Sequence, residues 1–529
     1  MLRGNALKHT AALALIFFVA FLINSASFFL SGISPAYNQG SDTTVHLVHW
    51  REFSRGYSGN FDHDTMFQNF QEAPTGVLFV DKTLVRIGEF LRIPLLDWSI
   101  VVSACTLLVF LGGVYVLALY STGSVLLAVI VSLVSTIPVI SLGLSSWGML
   151  VLGFVPKEIA VAISVWLTLL YLSGVVSNSP RRIALFFFVL GVFANFYLTL
   201  FFHYALLLLT VEVLRARSIR KEHLLYGALF MAAAPLALFD IFVRAGHFTP
   251  PNLAIIIDHY GTTLHSARYL FLHYLRKQVI YGVLVGVLWY VYRRVLKKEY
   301  SPLMRVWYTL WWSTLCWSLV GVGIEVFAPL YMKYMLSRIS VWFYCASMII
   351  VAYTAYEIYG DRFARSVRNR ILFSLLLLFV LLSQTSLLNV YIGIRDSVSE
   401  AADYRAYLSV TAKLNAIVPP KSLVLANPDR WANTLRTYGG VGVYVAAKDG
   451  NVILFDGRAA GAWFERYTET RRVFAQKDFF AIQDFAAAHD LRFYFFNTKD
   501  IKKSREALRN ATILESGDYG LADLNQANF

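Results

Sequence analysis

The sequence predicts an α-helical polytopic membrane protein with about eleven transmembrane helices and a C-terminal α/β extracytoplasmic domain. Three observations lead to this fold class. The chain of 529 residues is 57% hydrophobic and only 15% charged, whereas about a quarter of the residues in soluble chains are charged. Its apolar residues form runs long enough to cross a bilayer. Its basic residues are concentrated in the short segments between those runs.

The net charge of +14 follows from these basic segments. Nucleic-acid-binding proteins place Lys and Arg on one face or in one tail. Short basic clusters between apolar runs therefore argue against that class and indicate membrane topology. The three cysteines, Cys105, Cys316 and Cys345, all fall within apolar runs, so they are not placed for a metal knuckle or for a disulfide in an exposed domain.

The predicted spans are apolar runs of about 17 to 25 residues. The first follows Arg3 and Lys8 and is longer than a signal-peptide core requires, so we expect a membrane anchor. The stretch 183–214 fits a pair of short helices turning near Asn195 or His203, with one long span as the alternative. The predicted spans are 9–31, 98–120, 122–142, 157–177, 183–198, 199–214, 223–243, 278–294, 304–327, 339–358 and 370–392.

The basic clusters predict the orientation of the chain, because cytoplasmic loops are rich in Lys and Arg. With a cytoplasmic N-terminus, every dense cluster falls on the cytoplasmic side. We therefore expect a multi-pass protein of a bacterial inner or plasma membrane, with its C-terminal domain outside the cytoplasm. The basic clusters lie in 181–182, 215–221, 293–305 and 362–370, and the outer segments are 32–97, 143–156, 245–277, 328–338 and everything after 393.

We divide the chain into a transmembrane part, 1–392, which carries the long outer loop 32–97, and a soluble extracytoplasmic α/β domain, 393–529. In the second part, Phe479, Ile482 and Phe485 recur at helical spacing. No catalytic motif appears there, so we expect a structural or acceptor-binding role. Four strand-like runs bounded by turn signals lie at 423–426, 441–446, 452–455 and 493–496.

The outer loop 32–97 contains the most informative motif of the chain. A helix capped by Ser41 or Asp42 places Asp42, His46 and His49 at positions i, i+4 and i+7, on one face. Such a group is either a general base with its orienting partner or part of a divalent-metal site. The alternative is an amphipathic interfacial helix in which Asp42 is only a cap.

Several other ionisable residues are ambiguous on sequence alone. Asp62, His63 and Asp64 are able to bind a metal, but carboxylates and histidine beside Asn and Gly are typical of a solvated turn, which we favour. Within the apolar runs, Glu212 and Glu325 are costly to bury. Both lie near predicted span ends, and Glu212 is expected beside the basic cluster at 215–221.

The motif Gly40-Ser41-Asp42-x3-His46, directly after a first membrane span, resembles the first outer loop of the GT-C superfamily. These polytopic glycosyltransferases use polyprenyl-phosphate sugars. The layout is similar too, with a cytoplasmic N-terminus, an acidic catalytic residue in a long first outer loop, many spans and often a soluble outer domain. The segment 154–158, which leads into a span, and the segment 198–209 around His203 also resemble the family.

The resemblance implies a GT-C-like fold and an inverting transfer of a sugar from a polyprenyl-phosphate-linked donor to a glycan, lipid or protein acceptor at the extracytoplasmic face. It implies a catalytic role for Asp42, and His46 and Glu158 are the other candidate catalytic residues because of their expected positions near it. A carboxylate would take the proton of the acceptor hydroxyl, and cations would stabilise the departing phosphate. Candidate phosphate-binding residues near predicted membrane edges are Lys157, Arg244, Arg268, Arg276 and Arg338.

The sequence leaves the cofactor open; a divalent cation, Mg²⁺ or Mn²⁺, is the candidate, with Asp42, His46 and His49 as candidate ligands. Each basic candidate alone also fits an ordinary residue at the membrane rim, and Lys157 and Glu158 also fit a mutual ion pair.

Three other functions stay open. A polymerase or ligase of lipid-linked polysaccharide would share the topology but need an arginine-dominated site. The second alternative is a transporter, although the sequence shows no inverted repeat to support it. The third is an accessory subunit.

Overall fold

The computed structural model is mostly helical, with a small sheet near the C-terminal end. It describes residues 2–34, 41–54, 61, 63–64, 75–140, 146–148, 156–239, 255, 276–327, 336–363, 367–383, 385, 387–429, 432–447, 449 and 457–527.

The apolar runs fold into helices because a backbone in a bilayer has to satisfy its N–H and C=O groups within each segment. A π-helical turn, Val291–Val295, extends one of them, and a 3-10 turn, Leu336–Ser340, precedes another. The helices are α1 Leu2–Ser31, α2 Ser41–Phe53, α3 Thr75–Leu91, α4 Leu95–Thr122, α5 Val125–Val134, α6 Pro156–Val176, α7 Pro180–Ala194, α8 Leu198–Ala216, α9 Lys221–Ala233, α10 Pro235–Leu238, α11 Arg276–Tyr290, α12 Pro302–Phe327, α13 Val341–Phe363 and α14 Val367–Leu382.

Five helices in the described part of the chain are long and apolar enough to cross a membrane. Each coincides with a predicted span. The remaining predicted spans also contain helices, among them α5, which covers only Val125–Val134 of the predicted span 122–142. The count of about eleven spans therefore stays a prediction. The five helices are Ala6–Ser31, Leu95–Thr122, Lys157–Val176, Leu198–Ala216 and Leu336–Ile358.

The ambiguous stretch 183–214 forms two helices, α7 and α8, which are separated by a short turn that begins at Asn195. The Asn195 amide group donates to the carbonyl oxygen of Ala233 at 2.7 Å, and its carbonyl oxygen accepts from the N–H of Leu236 at 2.9 Å. These bonds satisfy backbone groups that helix ends leave open. Asn195 therefore marks the turn, whereas His203 is buried within α8.

Glu212, near the end of α8, is buried between two partners. Its carboxylate accepts a hydrogen bond from the hydroxyl of Tyr171 on α6 and pairs with Arg215, one turn further along α8. The expectation that Glu212 lies beside the basic cluster is confirmed. Pairing offsets the cost of burying a charge, so these contacts account for Glu212 structurally. The side chain of Glu325 lies outside the described residues.

Two helices, α2 and α3, lie within 32–97, which the sequence analysis treats as one outer loop. An apolar cluster fastens α2 to α3 and to the start of α4. The indole N–H of Trp98 also donates to the carbonyl oxygen of Leu84 at 2.8 Å, joining α4 to α3. Helix α2 is therefore held in place by packing against α3 and α4. The buried members of the cluster are Leu47, Trp50, Val85, Trp98 and Val102.

The C-terminal part contains a five-stranded mixed sheet with helices packed around it. A separate antiparallel pair, β1 Val139–Ile140 and β2 Ser146–Trp147, precedes it in the chain. The sheet strands are β3 Leu423–Leu425, β4 Gly442–Val443, β5 Phe493–Asn497, β6 Thr512–Ser516 and β7 Tyr519–Asp523, and the helices are α15 Leu387–Ser399, α16 Ala401–Ile417, α17 Ala432–Thr434, α18 Gly457–Ala475, α19 Phe479–Ala488 and α20 Arg505–Ala511.

The strand order is β4-β3-β5-β7-β6, with β3 parallel to β4 and β5, and β7 antiparallel to both its neighbours. The predicted α/β character is confirmed, since three of the four predicted runs contain β3, β4 and β5. The fourth, 452–455, lies outside the described residues. The hairpin β6-β7 was not predicted, although Gly517, at a positive φ of 57°, marks its turn.

The outer loop and the C-terminal part are in direct contact. Asp64 forms a buried ion pair with Arg436, which follows α17. Two segments in contact lie on the same side of a membrane, so an even number of crossings separates them. This contact is compatible with the prediction that 32–97 and the chain after 393 share one side of the membrane, which itself stays a prediction. Which side that is stays a prediction.

Cysteine labelling tests the orientation. In a chain lacking its three native cysteines, we expect Ser422→Cys to react with a membrane-impermeant maleimide in intact cells. Ser218→Cys, between α8 and α9, should react only after permeabilisation, because its neighbours form a basic cluster assigned to the cytoplasm. Labelling of Ser218→Cys in intact cells would contradict the orientation.

Candidate functional site

Helix α2 lies between the membrane helices and the C-terminal part. One side packs on α3 and α4 through Leu47 and Trp50. The other side contacts α17 and the π-helical turn Leu435–Gly439 that follows it. Helix α2 follows the first membrane helix after only nine intervening residues.

Two of the three residues predicted to share a face of α2 converge on a residue that the sequence analysis did not single out. The Nδ1 atoms of His46 and His49 lie 3.4 and 3.5 Å from Oδ2 of Asp81, on α3. The other carboxylate oxygen, Oδ1, accepts a hydrogen bond from the indole N–H of Trp50 at 2.9 Å. We call His46, His49 and Asp81 the histidine–aspartate cluster.

The histidine–aspartate cluster is buried, with Asp81 0% and His49 1% exposed, while the side chain of His46 is 19% exposed. Burial alone raises the pKa of Asp81, but hydrogen bonds and charges from His46 and His49 outweigh it and hold the pKa below its usual value. Burial also lowers the pKa of His49. At neutral pH Asp81 is therefore ionised, and it lies against the buried imidazole of His49.

Asp42 lies in the first turn of α2, one turn before His46. Residues at i and i+4 of a helix lie on the same face, so the backbone places Asp42 on the His46 side of α2. Its side chain lies outside the described residues. The role of Asp42 therefore stays a prediction, and so does its ligation of a metal.

Lys157 and Glu158 occupy the first turn of α6 and are both half-buried. The next residue, Ile159, packs against the apolar cluster that holds α2. The start of α6 therefore packs against the same apolar cluster as α2, on the same side of the molecule as the histidine–aspartate cluster. This placement suits the predicted roles of Lys157 and Glu158, which stay predictions.

The structure describes less of the other predicted phosphate-binding residues. Arg338 is half-buried in the 3-10 turn that precedes α13. Arg276 is the first residue of α11, and its side chain lies outside the described residues. Arg244 and Arg268 also lie outside them. A shared phosphate site for these arginines stays a prediction.

The interpretation of 60–64 as a solvated turn is wrong for Asp64, which is 0% exposed. The guanidinium of Arg436 donates to both carboxylate oxygens of Asp64 at 2.7 and 2.8 Å and to both oxygens of Asp449 at 2.6 and 2.9 Å. The N–H of Val443 also donates to Asp64 at 2.8 Å. His63 is exposed, as a turn residue would be, and Asp62 lies outside the described residues.

In this buried group one guanidinium lies between two carboxylates, and each charge shifts the pKa of its neighbours. Burial lowers the pKa of Arg436, but Asp449 and Asp64 outweigh that effect and raise it above its usual value. Burial raises the pKa of Asp64, and the Arg436 charge opposes the rise. The contacts of Arg436 with two carboxylates fasten the outer loop to the C-terminal part, next to the face of α2 that contacts the same turn. We call Arg436, Asp64 and Asp449 the arginine clamp.

The sequence contains a pattern that indicates a buried or functional role for Asp81. In the segment 75–91, the acidic Asp81 stands one helical turn before Val85, on the apolar stripe of an amphipathic helix. A charged residue on a buried stripe indicates a partner or a functional site. Arg436 has no comparable signal, because its partners lie 372 and 13 residues away without any motif.

No protein-family model matches this chain, and no curated protein matches it either. Among solved structures, the chain is similar to the oligosaccharyltransferase of Archaeoglobus fulgidus, crystallised with a tethered acceptor peptide. The identity is 11% and the TM-score 0.45, over 93% of this chain and 69% of that chain. A likeness of this size assigns neither an activity nor site residues to the present chain.

Proposed function

We propose that the chain is a membrane glycosyltransferase. It transfers a sugar from a polyprenyl-phosphate-linked donor to a glycan, lipid or protein acceptor at the extracytoplasmic face. The observation that carries the proposal is the setting of α2. This helix follows the first membrane helix closely, carries Asp42 one turn from the histidine–aspartate cluster, and packs against both α4 and the C-terminal part.

In this proposal Asp42 is the general base. The acceptor hydroxyl oxygen forms a bond to the anomeric carbon as the bond from that carbon to the phosphate oxygen breaks, and Asp42 takes the hydroxyl proton. Attack from the face opposite the phosphate inverts the anomeric configuration. The leaving group is the polyprenyl phosphate, which keeps the bonding electron pair. His46 orients the reacting groups, and Glu158 is a second carboxylate at the same site.

Cations near the membrane edge offset the charge on the departing phosphate. Lys157 is the described candidate beside α2, and Arg338 is placed before α13. An arginine matches phosphate oxygens with two parallel N–H donors, whereas a lysine acts as a point charge. The proposal therefore assigns binding of the phosphate oxygens to Arg338, Arg244, Arg268 and Arg276. It assigns to Lys157 the role of a point charge that offsets the negative charge of the same phosphate.

Donor consumption tests the function directly. Full-length protein in proteoliposomes is incubated with polyprenyl-phosphate sugars, each labelled in the sugar, and with a mixture of glycan and peptide acceptors. We expect loss of label from the donor lipid and equimolar release of polyprenyl phosphate. Glu299→Gln, an exposed change in the segment assigned to the cytoplasm, should leave the rate unchanged.

Two outcomes would contradict the proposal. The first is that no polyprenyl-phosphate sugar is consumed. The second is that the protein joins preassembled lipid-linked polysaccharide while leaving single-sugar donors intact. This second outcome would instead favour a polymerase or ligase.

A further inference from the structure

The spacing of the ligand atoms in the histidine–aspartate cluster is longer than that of a typical hydrogen bond. The two Nδ1–Oδ2 distances are 3.4 and 3.5 Å, whereas N–H···O bonds in proteins are about 2.7–3.2 Å long. Two ligand atoms bound tetrahedrally to a cation at about 2.0–2.2 Å are about 3.4 Å apart. Both distances therefore match the edge of a metal coordination shell.

The donor set narrows the choice of metal. We propose that His46, His49 and Asp81 hold a divalent cation of the Zn²⁺ class, with one ligand atom from each residue, all lying within 4.8 Å of one another. Imidazole nitrogens suit Zn²⁺, whereas Mg²⁺ prefers carboxylate, carbonyl and water oxygens. Two imidazoles with one carboxylate therefore favour a cation of the Zn²⁺ class over Mg²⁺, one of the two candidates from the sequence.

The surroundings of Asp81 support a metal ligand. Histidines and carboxylates that bind metals are held in place by hydrogen bonds from neighbouring groups. Trp50 supplies such a bond to Oδ1 and is itself 0% exposed. This contact fixes the carboxylate so that Oδ2 faces both imidazoles. Leu47 and Val85 keep the support rigid by packing around Trp50.

Three protein ligands leave one tetrahedral position open, as in catalytic zinc sites. Asp42 lies one turn from His46 on the same side of α2. A cation held in the histidine–aspartate cluster therefore lies beside the proposed general base, where an anionic phosphate oxygen could occupy the open position. The role in transfer depends on the proposed function, but binding of the cation does not.

Calorimetric titration of the purified full-length protein tests the site. After chelation and dialysis, we expect wild type to bind one Zn²⁺ per chain and to bind Mg²⁺ far more weakly. His49→Gln and His46→Gln each remove a ligand, so Zn²⁺ affinity should fall by more than the roughly 10–100-fold that loss of a supporting residue costs. Asp81→Asn should do the same while still accepting the Trp50 hydrogen bond.

Two further variants separate ligation from packing. Trp50→Phe keeps an aromatic ring but removes the N–H that supports Asp81 and part of the buried ring volume, and it should weaken Zn²⁺ binding by about tenfold. His63→Gln, an exposed histidine in the same outer segment, should leave the affinity unchanged. Co²⁺ substituted for Zn²⁺ in wild type should show the visible absorption of a tetrahedral site, and that signal should be absent in His49→Gln.

The site is overturned if wild type binds no Zn²⁺, if the ligand variants bind it as tightly as wild type, or if Mg²⁺ binds equally well. Zn²⁺ binding without any sugar transfer would overturn the proposed function and leave the site standing. Sugar transfer by a chain that binds no Zn²⁺ would overturn the site and leave the function standing.

Discussion

Asp42→Asn is expected to lower the rate of sugar transfer by roughly 10²–10⁴-fold, the contribution typical of a positioned general base. The substitution keeps the size of the side chain and removes its ability to take a proton. Folding should be nearly unchanged. An acidic group in the first turn of a helix contributes only about 0.3–1 kcal/mol through the helix dipole, and α2 is held mainly by packing of Leu47 and Trp50.

A matched control distinguishes loss of the base from loss of any outer carboxylate. Asp97 lies in the first turn of α4, on the same side of the molecule, and is exposed. Asp97→Asn should transfer sugar at the wild-type rate. Both variants are assayed with the labelled polyprenyl-phosphate donor, and their thermal unfolding is recorded. Near-wild-type transfer by Asp42→Asn would remove Asp42 from the mechanism and much of the case for a glycosyltransferase.

Features that depend on neighbouring residues along the chain could be predicted from the sequence. The apolar spans follow from composition over about 20 residues, and the face shared by His46 and His49 follows from helical periodicity. The turn at Asn195 was also predictable, because its polar side chain interrupts a long apolar stretch. In each case the information lies within a few helical turns.

Features that depend on tertiary contacts could not be predicted in the same way. Asp81 meets His46 across 35 residues of sequence, and no local pattern states that α3 lies beside α2. Asp64 resembled a turn residue because its neighbours are typical of turns. Its burial depends on Arg436, which comes from the C-terminal part of the chain. The metal site was therefore predicted with Asp42 as its carboxylate, whereas the described carboxylate beside the two histidines is Asp81.

The arginine clamp is the contact whose loss should destabilise the outer part of the molecule most. Arg436→Ala leaves Asp64 and Asp449 buried without their counter-charge, and removing one partner of a buried ion pair costs about 3–5 kcal/mol. Arg436→Lys should recover only part of this loss. A lysine keeps the charge but lacks the planar fork that contacts both carboxylates at once.

The matched control is Arg471→Ala, which breaks an ion pair with Asp429 in the same C-terminal part, where the two side chains are 65% and 40% exposed. Surface pairs contribute about 0–1 kcal/mol, so this variant should unfold nearly as wild type does. Urea denaturation of the full-length proteins gives the free energies of unfolding. Because the clamp and α2 share the turn Leu435–Gly439, Arg436→Ala should also weaken Zn²⁺ binding, and Arg471→Ala should not. Equal stability of the two alanine variants would contradict a structural role for the clamp.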